Sequence, residues 1–173
     1  MGIASKIAPW FLWWLLYSAV GWVYETSIAL VETGQWVGHG FLFGPWRPVY
    51  GTAAVLAIAL LYRRTKNVVP LFLVGAFLAT VVEYTTSLVL EDAFGLRLWD
   101  YSHFRFNIDG RVSLLGAVVF GVMMVLLIRL VHPRVEVLTA RVAARTQVIA
   151  ASVMAGLVAL DICVTVIHLL VTR

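Results

Sequence analysis

Two glutamates, Glu25 and Glu83, lie inside long apolar stretches of the chain. A charged carboxylate within a membrane-spanning helix costs about 3 kcal/mol on insertion scales, so it must be protonated, paired or wetted. Arg47 and Arg111 stand where the next apolar segments begin, and a guanidinium can bridge a carboxylate at two points. This pattern predicts either two structural ion pairs, Glu25–Arg47 and Glu83–Arg111, or a polar pocket that binds a ligand or a proton.

Both glutamates lie on stripes of small residues when these segments are drawn as helices. Residues three or four positions apart share a helix face, and small residues on such a face let helices approach closely. We therefore expect both carboxylates to point into a helix bundle. The stripes are Ser18, Gly21, Glu25 and Ala29 in the first segment, and Gly75, Ala79, Glu83 and Ser87 in the second.

A third acid, Asp161, lies near the middle of the last apolar segment, with Thr165 and His168 on the same helix face. Acids and histidines within a membrane often mark a proton path. An aspartate that is hydrogen-bonded to a neighbouring helix would leave the same pattern. The sequence does not choose between these two hypotheses.

The amino-acid composition indicates that these charged residues lie in a membrane protein. Of the 173 residues, 62% are hydrophobic and 13% are charged, whereas soluble domains average about 45–50% and about 25%. We predict an all-α fold, a polytopic membrane helix bundle that forms a single domain over residues 1–173. A span needs about 20 apolar residues, and about five are predicted, at 8–30, 46–62, 68–90, 112–131 and 148–171. The second is short and has Pro48 in its first turn.

Basic residues are concentrated on one side of this arrangement. By the positive-inside rule that side, together with the N-terminus, is cytoplasmic, which predicts a multi-pass protein of the cell (plasma) membrane. Residues 132–147 are predicted to form a short basic helix on the inner membrane surface. Among the acids, only Glu136 falls on the inner side, so the polar function is expected outside. The basic residues assigned to the inner side are Lys6, Arg63, Arg64, Lys66, Arg129, Arg134, Arg141 and Arg145.

The two outer connections, residues 38–51 and 96–111, mix aromatic residues, glycines and charges. Flexible linkers are poor in aromatic residues, so both connections are expected to fold back onto the bundle. An aromatic belt at the membrane interface is the alternative.

The sequence contains no motif for a nucleotide, a metal or a hydrolytic nucleophile. The single cysteine, Cys163, excludes a disulfide within one chain. We therefore predict no cofactor, no metal site and no nucleic-acid partner, and we favour a role other than that of an enzyme. The four histidines, whose spacing does not suggest a metal site, are His39, His103, His132 and His168.

Five runs of the chain form a characteristic combination: Tyr17–Glu25, Gly40–Gly51, Glu83–Ser87 with Glu91, Trp99–Ser102 and Phe106–Arg111. In this order they resemble the bacterial family labelled putative ABC-transporter type IV. The resemblance covers roughly residues 17–111 and implies a small polytopic membrane protein. It also implies a permease, which would need a separate ATPase subunit. The second motif of the family usually begins Asn-Arg-Gly, whereas this chain has Gly38-His39-Gly40.

The charges and the motifs together predict the function of a transporter or permease-like subunit. Its polar pocket on the outer side would bind a small polar or cationic solute, and the small number of spans favours a homo-oligomer in the lipid bilayer. An intramembrane enzyme acting on lipid head groups or a lipid-linked precursor is one alternative. A structural or assembly subunit of a membrane complex is another. The predicted ligand-binding residues are Glu25, Arg47, Tyr50, Glu83, Tyr84, Glu91, Trp99, Asp100, Tyr101, Asn107 and Arg111.

Overall fold

A computed structural model describes residues 2–35 and 40–171, so Gly38 and His39 lie outside the described residues. The helices are α1 (Ile3–Thr33), α2 (Pro48–Leu61), α3 (Val68–Phe94), α4 (Leu114–Leu126), α5 (His132–Ala140) and α6 (Ala144–Val171). A π-helical turn, Leu127–Val131, joins α4 to α5. Two short antiparallel strands, β1 (Asn107–Ile108) and β2 (Val112–Ser113), precede α4. The prediction of an all-α helical protein is confirmed.

Among the described residues, four helical runs are long and apolar enough to cross a membrane: Ile3–Val31, Val68–Phe94, Leu114–Ala140 and Ala144–Val171. The short basic helix predicted over 132–147 has other bounds: α5 continues the third run as far as Ala140, and residues 144–147 belong to α6. Its place on the inner membrane surface stays a prediction. The short apolar helix α2 has 14 residues, or about 21 Å at 1.5 Å per residue. That length is below the hydrocarbon thickness of about 30 Å.

The ends of the helices are set by local capping. The N–H of Gly34, at a φ of 67°, bonds to the Leu30 carbonyl and ends α1. Gly95, at a φ of 62°, ends α3 in the same left-handed conformation, which glycine adopts without a steric penalty. The Ser113 hydroxyl accepts from the N–H of Gly116 at 3.0 Å and begins α4. The predicted start of this span at 112 was therefore two residues early, because Val112 and Ser113 form a strand.

The chain divides into two compact units. Unit 1 comprises Met1–Gly51 and Leu138–Arg173, and unit 2 comprises Thr52–Val137. Within unit 1, α1 packs against α6, and within unit 2, α3 packs against α4. The small-residue stripe of α3 is buried as predicted, and a Cβ at Gly75 would collide with the Met124 side chain. The glycine therefore permits the close approach of α3 and α4.

Candidate functional site

In unit 1, Arg47 forms the predicted ion pair with Glu25. The Arg47 Nε donates to Glu25 Oε2 at 2.8 Å, and the Arg47 backbone N–H donates to the Ser18 carbonyl at 2.9 Å. The Arg47 side chain is 7% exposed and that of Glu25 is 29% exposed. Arg47 thus joins the loop before α2 to α1 at two points. Its backbone bonds to Ser18 near the middle of the helix, and its side chain pairs with Glu25 about two turns further along.

Asp161 of α6 binds the same loop. Its carboxylate accepts from the backbone N–H groups of Phe43 at 3.1 Å and Gly44 at 2.9 Å, and from Trp46 Nε1 at 2.7 Å. Asp161 is thus hydrogen-bonded to another segment, but that segment is a loop and not the neighbouring helix of the hydrogen-bonding hypothesis. The proton path stays a hypothesis. These hydrogen bonds also explain why α2 begins at Pro48 and not at the predicted position 46, because Trp46 is held in the loop.

The start of α2 lies directly on α1. The Tyr50 ring packs against Gly21, and its centroid lies 6.1 Å from that of Tyr24. A Cβ at Gly51 would collide with the Trp14 carbonyl oxygen and the Ser18 hydroxyl. Because one of these atoms belongs to the backbone of a helix, the neighbour cannot move aside.

Replacing Gly51 by alanine is therefore expected to destabilise the protein by about 1–3 kcal/mol, the usual cost of overpacking. The matched control is Gly156→Ala in α6, where an added Cβ meets nothing within 4 Å. That change is expected to be neutral, or to stabilise by up to about 1 kcal/mol through helix propensity. Thermal unfolding in detergent, followed by circular dichroism, measures both. Equal midpoints for the two variants would contradict the tight contact at Gly51.

In unit 2, Arg111 has a different partner from the one predicted. Its Nη1 lies 2.6 Å from Glu91 Oε2 and donates to the Ser87 hydroxyl at 3.1 Å. Its guanidinium also lies 5.9 Å from the centroid of the Tyr84 ring. The predicted Glu83–Arg111 pair is thus corrected to Glu91–Arg111, because Glu91 lies two turns further along α3, nearer the loop that carries Arg111.

Glu83 is buried, with 6% of its surface exposed. Its carboxylate accepts a hydrogen bond from the Tyr101 hydroxyl at 2.9 Å. Tyr101 belongs to the aromatic connection between α3 and β1, so this connection does fold back onto the helices of its own unit, as predicted. The burial of Glu83 confirms that its carboxylate points inward within unit 2.

A tight turn shapes the rest of this connection. Asp109 and Gly110 have φ values of 53° and 64°, and the N–H of Arg111 bonds to the Ile108 carbonyl at 2.9 Å. Positive φ at both central residues is typical of a type I′ hairpin, for which Asp-Gly is a preferred sequence. The Tyr84 hydroxyl donates to Asp109 Oδ2 at 2.8 Å, which fastens the turn to α3.

The remaining predicted residues of unit 2 hold the connection together. Trp99 Nε1 donates to the Arg111 carbonyl at 2.9 Å, and the Asn107 side chain bonds to Phe104 and Gly110. Asp100 lies 3.2 Å from the guanidinium of Arg97. Its pKa is held below the usual value by hydrogen bonds from the side chain and backbone of Ser102.

We call two adjoining sets of polar groups in unit 2 the polar network. One set is the pair of Glu83 and Tyr101, and the other surrounds Arg97 and Arg111; the backbone N–H of Tyr101 joins the first to the turn of the second by donating to the Gly110 carbonyl. It contains four carboxylates and two guanidinium groups, so its side chains carry more negative than positive charge when all are ionised. Its members are Glu83, Tyr84, Ser87, Glu91, Arg97, Asp100, Tyr101, Asp109 and Arg111.

The eleven predicted ligand-binding residues therefore fall into two groups. Glu25, Arg47 and Tyr50 belong to unit 1, and the other eight belong to unit 2. The prediction omitted Asp161 from the set, although a carboxylate in the middle of an apolar segment was the available signal. Within the described part of the chain, no group of three or more His, Cys, Asp or Glu side chains could hold a metal ion.

Comparison with known proteins decides the family. The profile described as putative ABC-transporter type IV matches residues 12–166. The chain belongs to this family. The match to the putative ABC-transporter type IV family extends beyond residues 17–111, which carried the resemblance, and it includes Asp161. With its four long apolar helices, this family member is a membrane protein related by its family name to ABC transporters. No curated protein and no solved structure matches the chain.

Proposed function

We propose that this chain is the membrane-embedded, permease-like subunit of a transporter and that the polar network binds a small cationic solute. The observation that carries the proposal is the excess of carboxylates over guanidinium groups in the network. A carboxylate buried on an apolar, membrane-length helix is costly, and such residues are usually functional. Glu83, at 6% exposure, is the residue to which this argument applies most directly.

The charge balance also indicates the class of solute. A cation entering the network would lower the repulsion among its carboxylates, whereas an anion would add to it. The hydroxyl groups of Tyr84 and Tyr101 are already next to Asp109 and Glu83. They could turn to accept or donate as the solute requires, because a phenol can do both.

The energy source and the setting belong to the same proposal. The matching family is named for ABC transporters, so a separate ATPase subunit would supply the energy. By the positive-inside rule, the basic connections support a cytoplasmic N-terminus, and we expect the protein to lie in a bacterial plasma membrane. A single membrane domain with so few spans is a small permeation unit, so we expect a homo-oligomer.

Binding of labelled choline, putrescine and rubidium to the purified chain, measured by scintillation proximity, tests the proposal. Glu83→Gln is expected to lower the affinity for the bound cation about tenfold or more, because a charge-assisted contact contributes about 1.5–3 kcal/mol. The matched control is Glu136→Gln, which removes the partner of the exposed Arg63 and is expected to leave binding unchanged. Unaltered cation binding by Glu83→Gln would sink the proposal.

A structural or assembly role is the second candidate, and one specific observation in unit 1 favours it. The side chain of Arg47 is almost fully buried against Glu25, and Asp161 is occupied by three donors from the same loop. Such closed contacts stabilise a fold without needing a ligand. For this candidate, substitutions in unit 1 would change stability and leave cation binding unchanged.

A further inference from the structure

An open groove lies beside the hairpin of unit 2, and no residue of the polar network is among those that line it. Its volume is about 430 Å³, within the range of pockets that hold small ligands. Its wall is apolar, and Arg105, whose side chain is exposed, is the one charged residue beside it in the described part of the chain. The residues that line it are Phe104, Arg105, Phe106, Leu114, Leu115 and Val118.

The walls of the groove are held in place by the backbone. The N–H of Leu114 donates to the Phe106 carbonyl at 2.9 Å, which ties the loop to the first residue of α4. Phe106 and Leu114 are nevertheless 63% and 58% exposed. A preformed apolar surface that stays exposed needs an apolar occupant.

The position of the groove identifies lipid as that occupant. Leu114 begins a helical run that is long and apolar enough to cross a membrane, and Val118 lies one turn into it. If this run crosses the bilayer, its first turn and the groove beside it fall where acyl chains meet head groups. Near the ends of spanning helices, arginine side chains lay their apolar stems along the protein and extend their charged groups into the head-group region.

Arg105 supplies charge complementarity for the head group. Its guanidinium lies 5.6 Å from the centroid of the Phe106 ring. Within the described residues, no carboxylate pairs with Arg105, whereas Arg97 and Arg111 of the same connection do have acidic partners. An unpaired guanidinium beside an apolar groove matches a phosphate attached to an acyl chain.

We propose that this groove binds one anionic glycerophospholipid, with an acyl chain along Leu115 and Val118 and the phosphate group on Arg105. The site is separate from the proposed cation site, since it uses none of the residues of the polar network. It would hold the hairpin against the membrane surface.

Spin-labelled phosphatidylglycerol and phosphatidylcholine, added to the full chain in nanodiscs, test this by electron paramagnetic resonance. Arg105→Gln is expected to lower the association constant for phosphatidylglycerol about fivefold, which corresponds to about 1 kcal/mol for one arginine at a membrane surface. Val118→Trp fills the groove and is expected to remove the selective site. The matched control is Val122→Trp, one turn along α4 on an exposed position outside the groove.

The double variant Arg105→Gln with Val118→Trp distinguishes a specific lipid site from a general attraction of anionic lipids to a basic protein. If charge and groove act together, Arg105→Gln has no further effect in the Val118→Trp background. If Arg105→Gln has the same effect in both backgrounds, or if Val122→Trp acts like Val118→Trp, the proposal is overturned. Arg64→Gln, a change at an exposed arginine outside the groove, is expected to have equal effects in both backgrounds.

Discussion

Asp161→Ala is expected to destabilise the protein by about 3 kcal/mol or more and to lower its thermal midpoint by about 6 °C or more. The carboxylate accepts from two backbone N–H groups and one indole N–H, all within 3.1 Å. Each hydrogen bond to a charged group contributes about 1.5–3 kcal/mol, and donors left without an acceptor add their desolvation cost. Three donors on one loop therefore depend on this side chain.

Asp161→Asn is expected to give an intermediate midpoint, since the amide keeps one acceptor oxygen but turns an NH₂ group towards other donors. The control is Asp92→Ala, which makes the same substitution at an exposed aspartate of another long helix, α3. Melting in detergent at identical scan rates compares all three. An Asp161→Ala midpoint equal to that of the wild type would show that the loop does not depend on the aspartate.

Arg47→Met is expected to destabilise the protein by about 3 kcal/mol. Methionine keeps the length of the apolar stem but removes the charge that lies 2.8 Å from Glu25. Breaking a buried ion pair from one side costs about 3–5 kcal/mol because it leaves the other charge uncompensated. The 29% exposure of the Glu25 side chain places the expected value at the lower end of that range.

The double variant Glu25→Gln with Arg47→Met is expected to recover part of this loss, because no carboxylate is then left alone. If the double variant is as unstable as Arg47→Met, the ion pair is not the cause. The control is Arg63→Met, which breaks the Arg63–Glu136 pair. Arg63 is 73% exposed, so this change is expected to cost less than about 1 kcal/mol.

The two sites in unit 1 are also expected to be coupled, because Asp161 and Arg47 hold the same loop. Once one contact is lost, the loop is already freed in part, and the second substitution removes less. The combined variant should therefore lose less stability than the sum of its two single changes, as residues that share a structural partner usually do.

The sequence by itself determined the helical fold, the membrane setting and the inward faces of α1 and α3. These follow from local properties: apolar content sets the solvent, and residues three or four apart must share a helix face. The Glu25–Arg47 pair was also predictable. Its two residues lie at the ends of one connection, which limits the distance between them, although the sequence offered Glu32 there as well.

The tertiary structure alone decided the other partners. Arg111 pairs with Glu91 and not Glu83, because the hairpin at Asp109–Gly110 brings the end of the connection to the last turns of α3. Asp161 binds a loop more than a hundred residues away in the chain. Glu83 and Glu91 carry the same chemical group. Helix periodicity predicts which face of α3 they share, but it does not predict at which level along the helix the returning loop will contact that face. Distances between segments depend on packing, which no local pattern contains.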